Sequence, residues 1–89
     1  MRAFRIYTED LGDRALQEVI KLAGSYLEGF TVYRGQGVWR GQSEASLILE
    51  VLGDDSLGRT IQGLAAQLKE ALHQEAILIT EAPVTARLI

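Results

Sequence analysis

The sequence contains no cysteine and only one histidine, and these scarcities exclude several classes of function. Without cysteine there are no disulfides, thiol nucleophiles or cysteine zinc sites, and one histidine is too few for a structural zinc site. The chain carries 9 basic and 12 acidic side chains, and its net charge of -3 gives no general attraction to nucleic-acid phosphates. We therefore expect no metal site and no nucleic-acid partner.

Long apolar runs are also missing. No stretch approaches 18 consecutive apolar residues, and the charged pair Glu9-Asp10 follows the N-terminus before any signal-peptide core could form. We therefore expect no membrane segment and a cytoplasmic location. With 47% hydrophobic and 24% charged residues, the composition is that of an ordinary globular protein, and 89 residues predict a single domain spanning 1–89.

Apolar periodicities predict six elements in the order β-α-β-β-α-β. Alternation is typical of strands, and apolar residues three or four positions apart are typical of helices that cover one sheet face. The second helix has the clearest pattern, a single stripe of Leu57, Ile61, Leu64, Leu68 and Leu72. The other predicted elements are a strand at Arg2–Thr8, a helix from Asp10–Asp13 to Gly24, a hairpin of Phe30–Arg40 and Ala45–Leu52, and a strand at Ala76–Thr80.

This order predicts a ferredoxin-like α+β sandwich, with an antiparallel sheet in the order 4-1-3-2 and both helices on one face. The apolar segment Pro83–Ile89 is expected to form a short edge strand, in this chain or on a neighbouring subunit. The uncovered face would be more apolar than a small monomer usually exposes, so we expect an oligomer. By analogy, trimers of PII-type signalling proteins pack such sheets face to face. The open-face residues would be Arg5, Tyr7, Tyr33, Ser46, Ile48 and Leu78.

The segment Thr31–Ser43 is unusual because it holds two arginines, the only tryptophan and three glycines but no acidic residue. A structural interpretation is a twisted hairpin with glycine bulges. A functional interpretation is a loop close to a ligand, with Arg34 or Arg40 near a carboxylate or phosphate and Trp39 against a planar base. Its Gly-x-Gly matches neither the dinucleotide fingerprint nor the P-loop.

Two glutamates, Glu44 and Glu75, each precede or open a predicted strand. We expect strands three and four to run in opposite directions, which would separate these carboxylates by roughly 20 Å in one chain. Tyr33 lies across the hairpin from the Glu44 end, so a site using all three residues would have to form between subunits. The lone His73 is interpreted as interacting with a helix C-terminus, and no serine stands in the context of a catalytic triad.

One constellation resembles a known family. Tyr33 is followed eleven residues later by Glu44, and Gln74-Glu75 opens the last core strand. On a ferredoxin-like, PII-like chain this arrangement resembles the bacteriophage S-adenosylmethionine (SAM) lyases, formerly called SAM hydrolases. Further segments similar to short phage proteins of this kind are 29–33, 37–41 and 73–78.

The resemblance implies a homotrimer that cleaves SAM to 5'-methylthioadenosine and L-homoserine lactone, as a phage counter-defence against SAM-dependent host restriction. The substrate's own carboxylate attacks its γ carbon, so the reaction needs no cofactor. By resemblance, Glu75 would contact the charged substrate and Gln74 would hydrogen-bond to it. Tyr33 and Glu44 of the adjacent subunit would hold the amino-acid portion or the sulfonium.

Two other functions stay open. The chain could be a non-catalytic oligomeric binding protein that sequesters an adenine-containing signal nucleotide, using Arg34, Trp39 and Arg40. It could also be a structural or protein-binding module whose apolar open face is its whole function.

Overall fold

The structure is a computed structural model that describes residues 1–89. Its four strands form one antiparallel sheet in the order β2-β3-β1-β4, which confirms the predicted ferredoxin-like α+β fold and strand order. Neither helix is long and apolar enough to cross a membrane. The elements are β1 (Arg2–Glu9), α1 (Asp13–Gly24), β2 (Thr31–Trp39), β3 (Gln42–Gly53), α2 (Leu57–Ala71) and β4 (Leu78–Pro83).

The core lies between one sheet face and the two helices. Alternation in β1 directs Phe4 and Ile6 toward the helices, and the helical stripe of α2 faces them. Each fully buried side chain of this size contributes roughly 1.5 to 3 kcal/mol, so this layer dominates the stability of the fold. The predicted α2 stripe is confirmed, with Leu57 packed against the core and four buried members, Ile61, Leu64, Leu68 and Leu72.

The strand register determines the open face. Tyr33 pairs with Ile48, Ile48 with Tyr7, and Tyr7 with Leu78, so an apolar row crosses all four strands. Within it only Ile48 is buried, because its neighbours on either strand cover it. The adjacent row is polar and includes an ion pair between Arg5 Nε and Glu50 Oε2 at 2.6 Å.

The hairpin of β2 and β3 is regular along its whole length, so the predicted glycine bulges are wrong. Gly35 and Gly37 each pair with one residue of β3, and the ladder continues past both. At Gly35 a Cβ would lie 2.7 Å from Ile48 Cδ1, so the end of that side chain would have to shift to make room for it. The chain reverses at Arg40-Gly41, whose φ values of 50° and 78° are typical of a two-residue type I′ turn.

Strand β4 begins two residues later than predicted and continues to Pro83. Its ladder with β1 runs from Leu78 opposite Tyr7 to Pro83 opposite Arg2. Because β1 then ends, the chain beyond Val84 has no strand partner within the molecule. In this chain the predicted edge strand Pro83–Ile89 is limited to Pro83 and one hydrogen bond at Val84, and its pairing on a neighbouring subunit stays a prediction. That bond joins the Val84 N–H to the Met1 carbonyl at 3.0 Å.

Candidate functional site

Strands β3 and β4 both pair antiparallel with β1, so they run parallel to each other. The prediction that they run in opposite directions is therefore wrong, and so is the separation of roughly 20 Å that followed from it. Glu44 near the start of β3 and Glu75 just before β4 lie at the same end of the sheet and line one cleft within a single chain. Bringing these two carboxylates together needs no second subunit.

The cleft has a volume of about 380 Å³, within the range of small-molecule sites. Its floor is formed where β1 ends and β3 begins, and its wall is the connection from α2 to β4. Three carboxylates line it, which favours a cationic ligand. Nowhere do three or more histidine, aspartate or glutamate side chains form a group that could hold a metal ion. The lining residues are Tyr7, Thr8, Glu9, Glu44, Ala45, Ser46, His73, Gln74, Glu75, Ala76 and Leu78.

The end of α2 determines where Gln74 lies. His73 has a φ of 53°, and its N–H donates to the Glu70 carbonyl at 3.2 Å. The Gln74 N–H donates to the Lys69 carbonyl at 3.0 Å, which completes a Schellman motif. The interpretation of His73 as part of a helix terminus agrees with this geometry, although its backbone, not its ring, makes the bond.

The side chain of Gln74 spans from this helix end to β1. Its Oε1 accepts a hydrogen bond from the Glu9 N–H at 3.3 Å. Its Nε2 is shielded from solvent and has no hydrogen-bond partner. A buried polar atom without a hydrogen-bond partner is uncommon in folded proteins, so the unpaired Gln74 Nε2 is an unusual feature of this side of the cleft.

Tyr33 lies on the open face outside the cleft. It is in the apolar row, and its hydroxyl is 3.4 Å from Glu50 Oε2. Glu50 also accepts a hydrogen bond from Arg5. This bond, together with the negative charge of Glu50, raises the pKa of Arg5 above its ordinary value. The structure thus brings together Glu44, Gln74 and Glu75 but not Tyr33.

Arg34 points to the helix-covered side of the sheet. Its Nε lies 2.8 Å from Asp10 Oδ2 and its Nη2 lies 2.7 Å from Asp13 Oδ1, so it ties β2 to the start of α1. These bonds raise the pKa of Arg34. The pKa of Asp10 is lowered, first by a hydrogen bond from the Gly12 N–H and then by Arg34. Arg34 does not line the cleft, and its Nε and Nη2 already have carboxylate partners.

Trp39 and Arg40 lie at the hairpin tip. The Trp39 side chain is exposed, and the Arg40 guanidinium lies 5.6 Å from the centroid of its ring, a cation–π distance. Neither residue lines the cleft. An aromatic base-stacking role for this pair would therefore need a ligand or partner that contacts the tip.

Glu9 lines the cleft, although the sequence did not lead us to predict it there. The predicted first strand stopped at Thr8, one residue too early, so the partner of Ser46 was left in the following loop. Extending the alternation of β1 by one position would have placed the Glu9 side chain on the open face beside Ser46.

Comparisons with known proteins bear on the fold alone. No protein-family profile and no curated protein matches the chain. A crystal structure of a DUF3240 family protein from Shewanella baltica OS155 is similar, with a TM-score of 0.71, 9% identity, and coverage of 99% of this chain and 94% of that one. The de novo designed protein Foldit4 gives a TM-score of 0.54 at 9% identity, covering 94% and 96% of the two chains.

Proposed function

We propose that this protein is a SAM lyase that forms 5'-methylthioadenosine and L-homoserine lactone. The observation that carries the proposal is the meeting of Glu44, Gln74 and Glu75 in one cleft. These are three of the four residues on which the resemblance to the phage lyases depends, although the resemblance placed Glu44 on the adjacent subunit and here it lines the same chain's cleft as Gln74 and Glu75. Gln74 and Glu75 are adjacent in the chain, so the fold brings together two segments, Glu44 near the start of β3 and the pair Gln74-Glu75 after α2.

The charge of the cleft supports the same substrate. SAM carries an ammonium, a sulfonium and a carboxylate near neutral pH, so its net charge is positive. Glu9, Glu44 and Glu75 line the cleft, and the basic side chains Arg34 and Arg40 lie elsewhere. An acidic cleft with low-dielectric walls attracts such a cation more strongly than it attracts an anionic nucleotide.

The reaction needs little from the protein beyond geometry. One oxygen of the substrate carboxylate forms a bond to its own Cγ, and the bond between Cγ and sulfur breaks. The electron pair of that bond goes to sulfur, which leaves as a neutral thioether, and no proton has to move. Holding the flexible amino-acid chain in a near-attack conformation therefore supplies much of the rate enhancement.

The disappearance of charge in this step suggests where the carboxylates act. The sulfonium loses its positive charge in the transition state, so an anion held against sulfur would stabilise the substrate more than the transition state. The ammonium keeps its charge throughout the reaction. We therefore place Glu44 and Glu75 at the ammonium, where they bind the substrate without opposing bond cleavage.

Tyr33 enters the proposal through assembly. The open face exposes Leu52, Leu78 and Tyr33, and burial of such a face against other copies would remove apolar area from water. We propose a PII-like homotrimer in which Tyr33 of one subunit closes the cleft of another. Light scattering over a range of concentrations tests this part, and a mass that stays monomeric contradicts it.

Product analysis tests the activity. Purified protein incubated with SAM should release 5'-methylthioadenosine and homoserine lactone in equal amounts, measured by chromatography with mass detection. Unchanged SAM at high protein concentration contradicts the lyase. Recovery of a bound but intact adenine-containing ligand would instead favour the sequestering protein considered above.

A matched pair of glutamate variants tests the site. Glu75→Gln should abolish turnover while leaving the assembly intact, because it removes a charge that holds the ammonium. Glu70→Gln removes the same charge from the exposed side of α2 and should leave turnover unchanged. Equal turnover by Glu75→Gln and Glu70→Gln would contradict the assignment of the active site to this cleft. For a phage gene, the biological effect would be depletion of the methyl donor used in host restriction.

A further inference from the structure

The lining of the cleft changes in character along the strands, and the register gives the order of its groups. Tyr7 of β1 is paired with Leu78 of β4, and both side chains lie on the open face. Two residues further along β1, Glu9 is paired with Ser46 of β3 on the same face. Glu44 comes two residues before Ser46, beyond the end of β1. The cleft therefore has an aromatic end at Tyr7 and an acidic end at Glu44.

The two ends are separated by the length of a small elongated molecule. With about 3.3 Å for each residue of a strand, Glu9 lies roughly 7 Å and Glu44 roughly 13 Å along the strands from the row that contains Tyr7. Glu75 belongs to the acidic end, because β4 runs antiparallel to β1 and Glu75 precedes Leu78 by three residues. A ligand that contacts both ends needs a cation on one side and a flat or apolar group on the other.

The aromatic end is formed by Tyr7 and Leu78. Tyr7 is half-buried and is the only tyrosine, tryptophan or phenylalanine that lines the cleft. Leu78 beside it is 60% exposed, so this pair presents apolar surface that a planar ring can cover. Base–aromatic stacking depends on such a surface and needs no charge. In SAM, the uncharged adenine is separated from the ammonium by the ribose and the amino-acid chain.

We infer that Tyr7 and Leu78 bind the adenine and make the cleft selective for a cation that is linked to adenosine. This inference rests on the proposed function, because it fixes the orientation of the proposed substrate. With the ammonium at Glu44 and Glu75, the adenine extends along β1 toward the middle of the open face. Tyr7 determines specificity and takes no part in the bond changes. A ring against adenine is equally favourable before and after sulfur loses its charge, so its loss should raise KM and leave kcat unchanged.

Three adenosine compounds test the orientation. 5'-Methylthioadenosine has the adenine end alone, and sinefungin has both ends but, with carbon in place of sulfur, no thioether to lose. Adenosine 5'-monophosphate has the same adenosine with an anion at the other end. Equilibrium dialysis should show that wild type binds the first two. It should bind the monophosphate at least about tenfold more weakly than methylthioadenosine, because the acidic end repels the phosphate.

Variants at the two ends should give different patterns of loss. Tyr7→Leu keeps an apolar side chain and should weaken both methylthioadenosine and sinefungin by about tenfold. Tyr7→Phe keeps the ring and should bind both as wild type does. Glu75→Gln should weaken only sinefungin, because methylthioadenosine has no ammonium. Tyr26→Leu removes a tyrosine outside the cleft and serves as the control.

Unchanged methylthioadenosine binding by Tyr7→Leu, a loss confined to sinefungin, or a wild type that binds no methylthioadenosine would overturn the inference. Monophosphate binding as tight as that of methylthioadenosine would do the same and favour a nucleotide-sequestering protein. If light scattering shows altered assembly of Tyr7→Leu, the Tyr7 ring resonances of wild type decide, since methylthioadenosine must shift them. SAM turnover that is independent of Tyr7 contradicts this subsite alone, whereas Tyr7-dependent methylthioadenosine binding without turnover contradicts the lyase alone.

Discussion

The two faces of the sheet differ in what covers them. On the face beneath α1 and α2, Ile6, Leu49 and Leu64 are at most 1% exposed. On the opposite face, Leu52 and Leu78 are 52% and 60% exposed, although Leu52 directly follows the buried Val51 in β3. The covered face therefore accounts for most of the stability of the single chain, and the open face leaves apolar side chains in contact with solvent.

The candidate cleft lies where these two faces meet at one end of the sheet. Glu9 and Glu44 project from strand ends on the open side, but Gln74 is held by the end of α2, which belongs to the covered side, and Glu75 follows it in the connection to β4. The packed helix α2 thus holds a polar side chain at the border of the open face. Amino-acid substitutions on each face test how much more the covered face contributes to stability than the open face does.

The largest effect is expected from the covered face. Leu64→Ala should lower the free energy of unfolding by about 2 to 5 kcal/mol, because Leu64 is fully buried and its loss leaves a cavity. Leu52→Ala on the open face is the matched control and should cost about 0.5 kcal/mol or less in the monomer. Urea unfolding at a low protein concentration measures both. Comparable losses would mean that the open face is packed even in a single chain.

A smaller effect is expected where the open face is locally packed. Gly35→Ala should destabilise by up to about 1 kcal/mol, because its Cβ would meet Ile48 Cδ1 at 2.7 Å and the end of that buried side chain would have to shift. Gly37→Ala is the control, since its nearest neighbour would be the Glu44 carbonyl oxygen at 3.9 Å. It should be neutral or slightly stabilising.

A double-mutant cycle separates this contact from a general intolerance of side chains at position 35. Ile48→Val removes the Cδ1 atom, so Gly35→Ala should cost less in that background. An unchanged cost would locate the strain in the backbone of β2 and would contradict the close approach as the reason for this glycine.

The sequence predicted the fold well because the covered face imposes a strict pattern. The alternation around Ile6 and the stripe through Leu64 each allow one arrangement of strand or helix against a core. The site was predicted less well. Glu44 and Glu75 were separated because the directions of β3 and β4 were misassigned, although the order 4-1-3-2 with antiparallel neighbours already makes those strands parallel. The unpaired state of Gln74 Nε2 depends on atomic positions that no periodicity encodes.

A stabilising change is expected at the border of the cleft. His73 has a φ of 53°, a conformation that glycine adopts with less strain, so His73→Gly should stabilise the protein by about 0.5 to 1 kcal/mol. His73→Ala keeps a side chain in the same conformation and should give no such gain. Thermal unfolding compares the two variants. A loss in His73→Gly would show that the imidazole itself contributes to the helix end or to the cleft.

The last prediction concerns the polar rim of the covered face and its dependence on pH. The Gly12 N–H and Arg34 lower the pKa of Asp10 in the folded protein, so the folded state holds this proton less tightly than the unfolded state does. The stability that Asp10 contributes is therefore complete above the ordinary aspartate range near 3.8 and is lost as the pH falls through the lowered pKa. Asp10→Asn resembles the protonated form and retains an oxygen for the Gly12 N–H.

Wild type should consequently be more stable than Asp10→Asn at pH 7, and the difference should shrink as the pH falls below the ordinary aspartate value of 3.8. Urea midpoints measured at pH 7, 5 and 3 test this, with Glu70→Gln as a control for the loss of one acidic charge away from Arg34. A difference that persists unchanged at pH 3 would show that Asp10 acts through its shape and not through its charge. The charged attachment of β2 to α1 by Arg34 would then depend on Asp13 alone. The contribution of this polar rim to stability would depend on pH no more than that of the open face does.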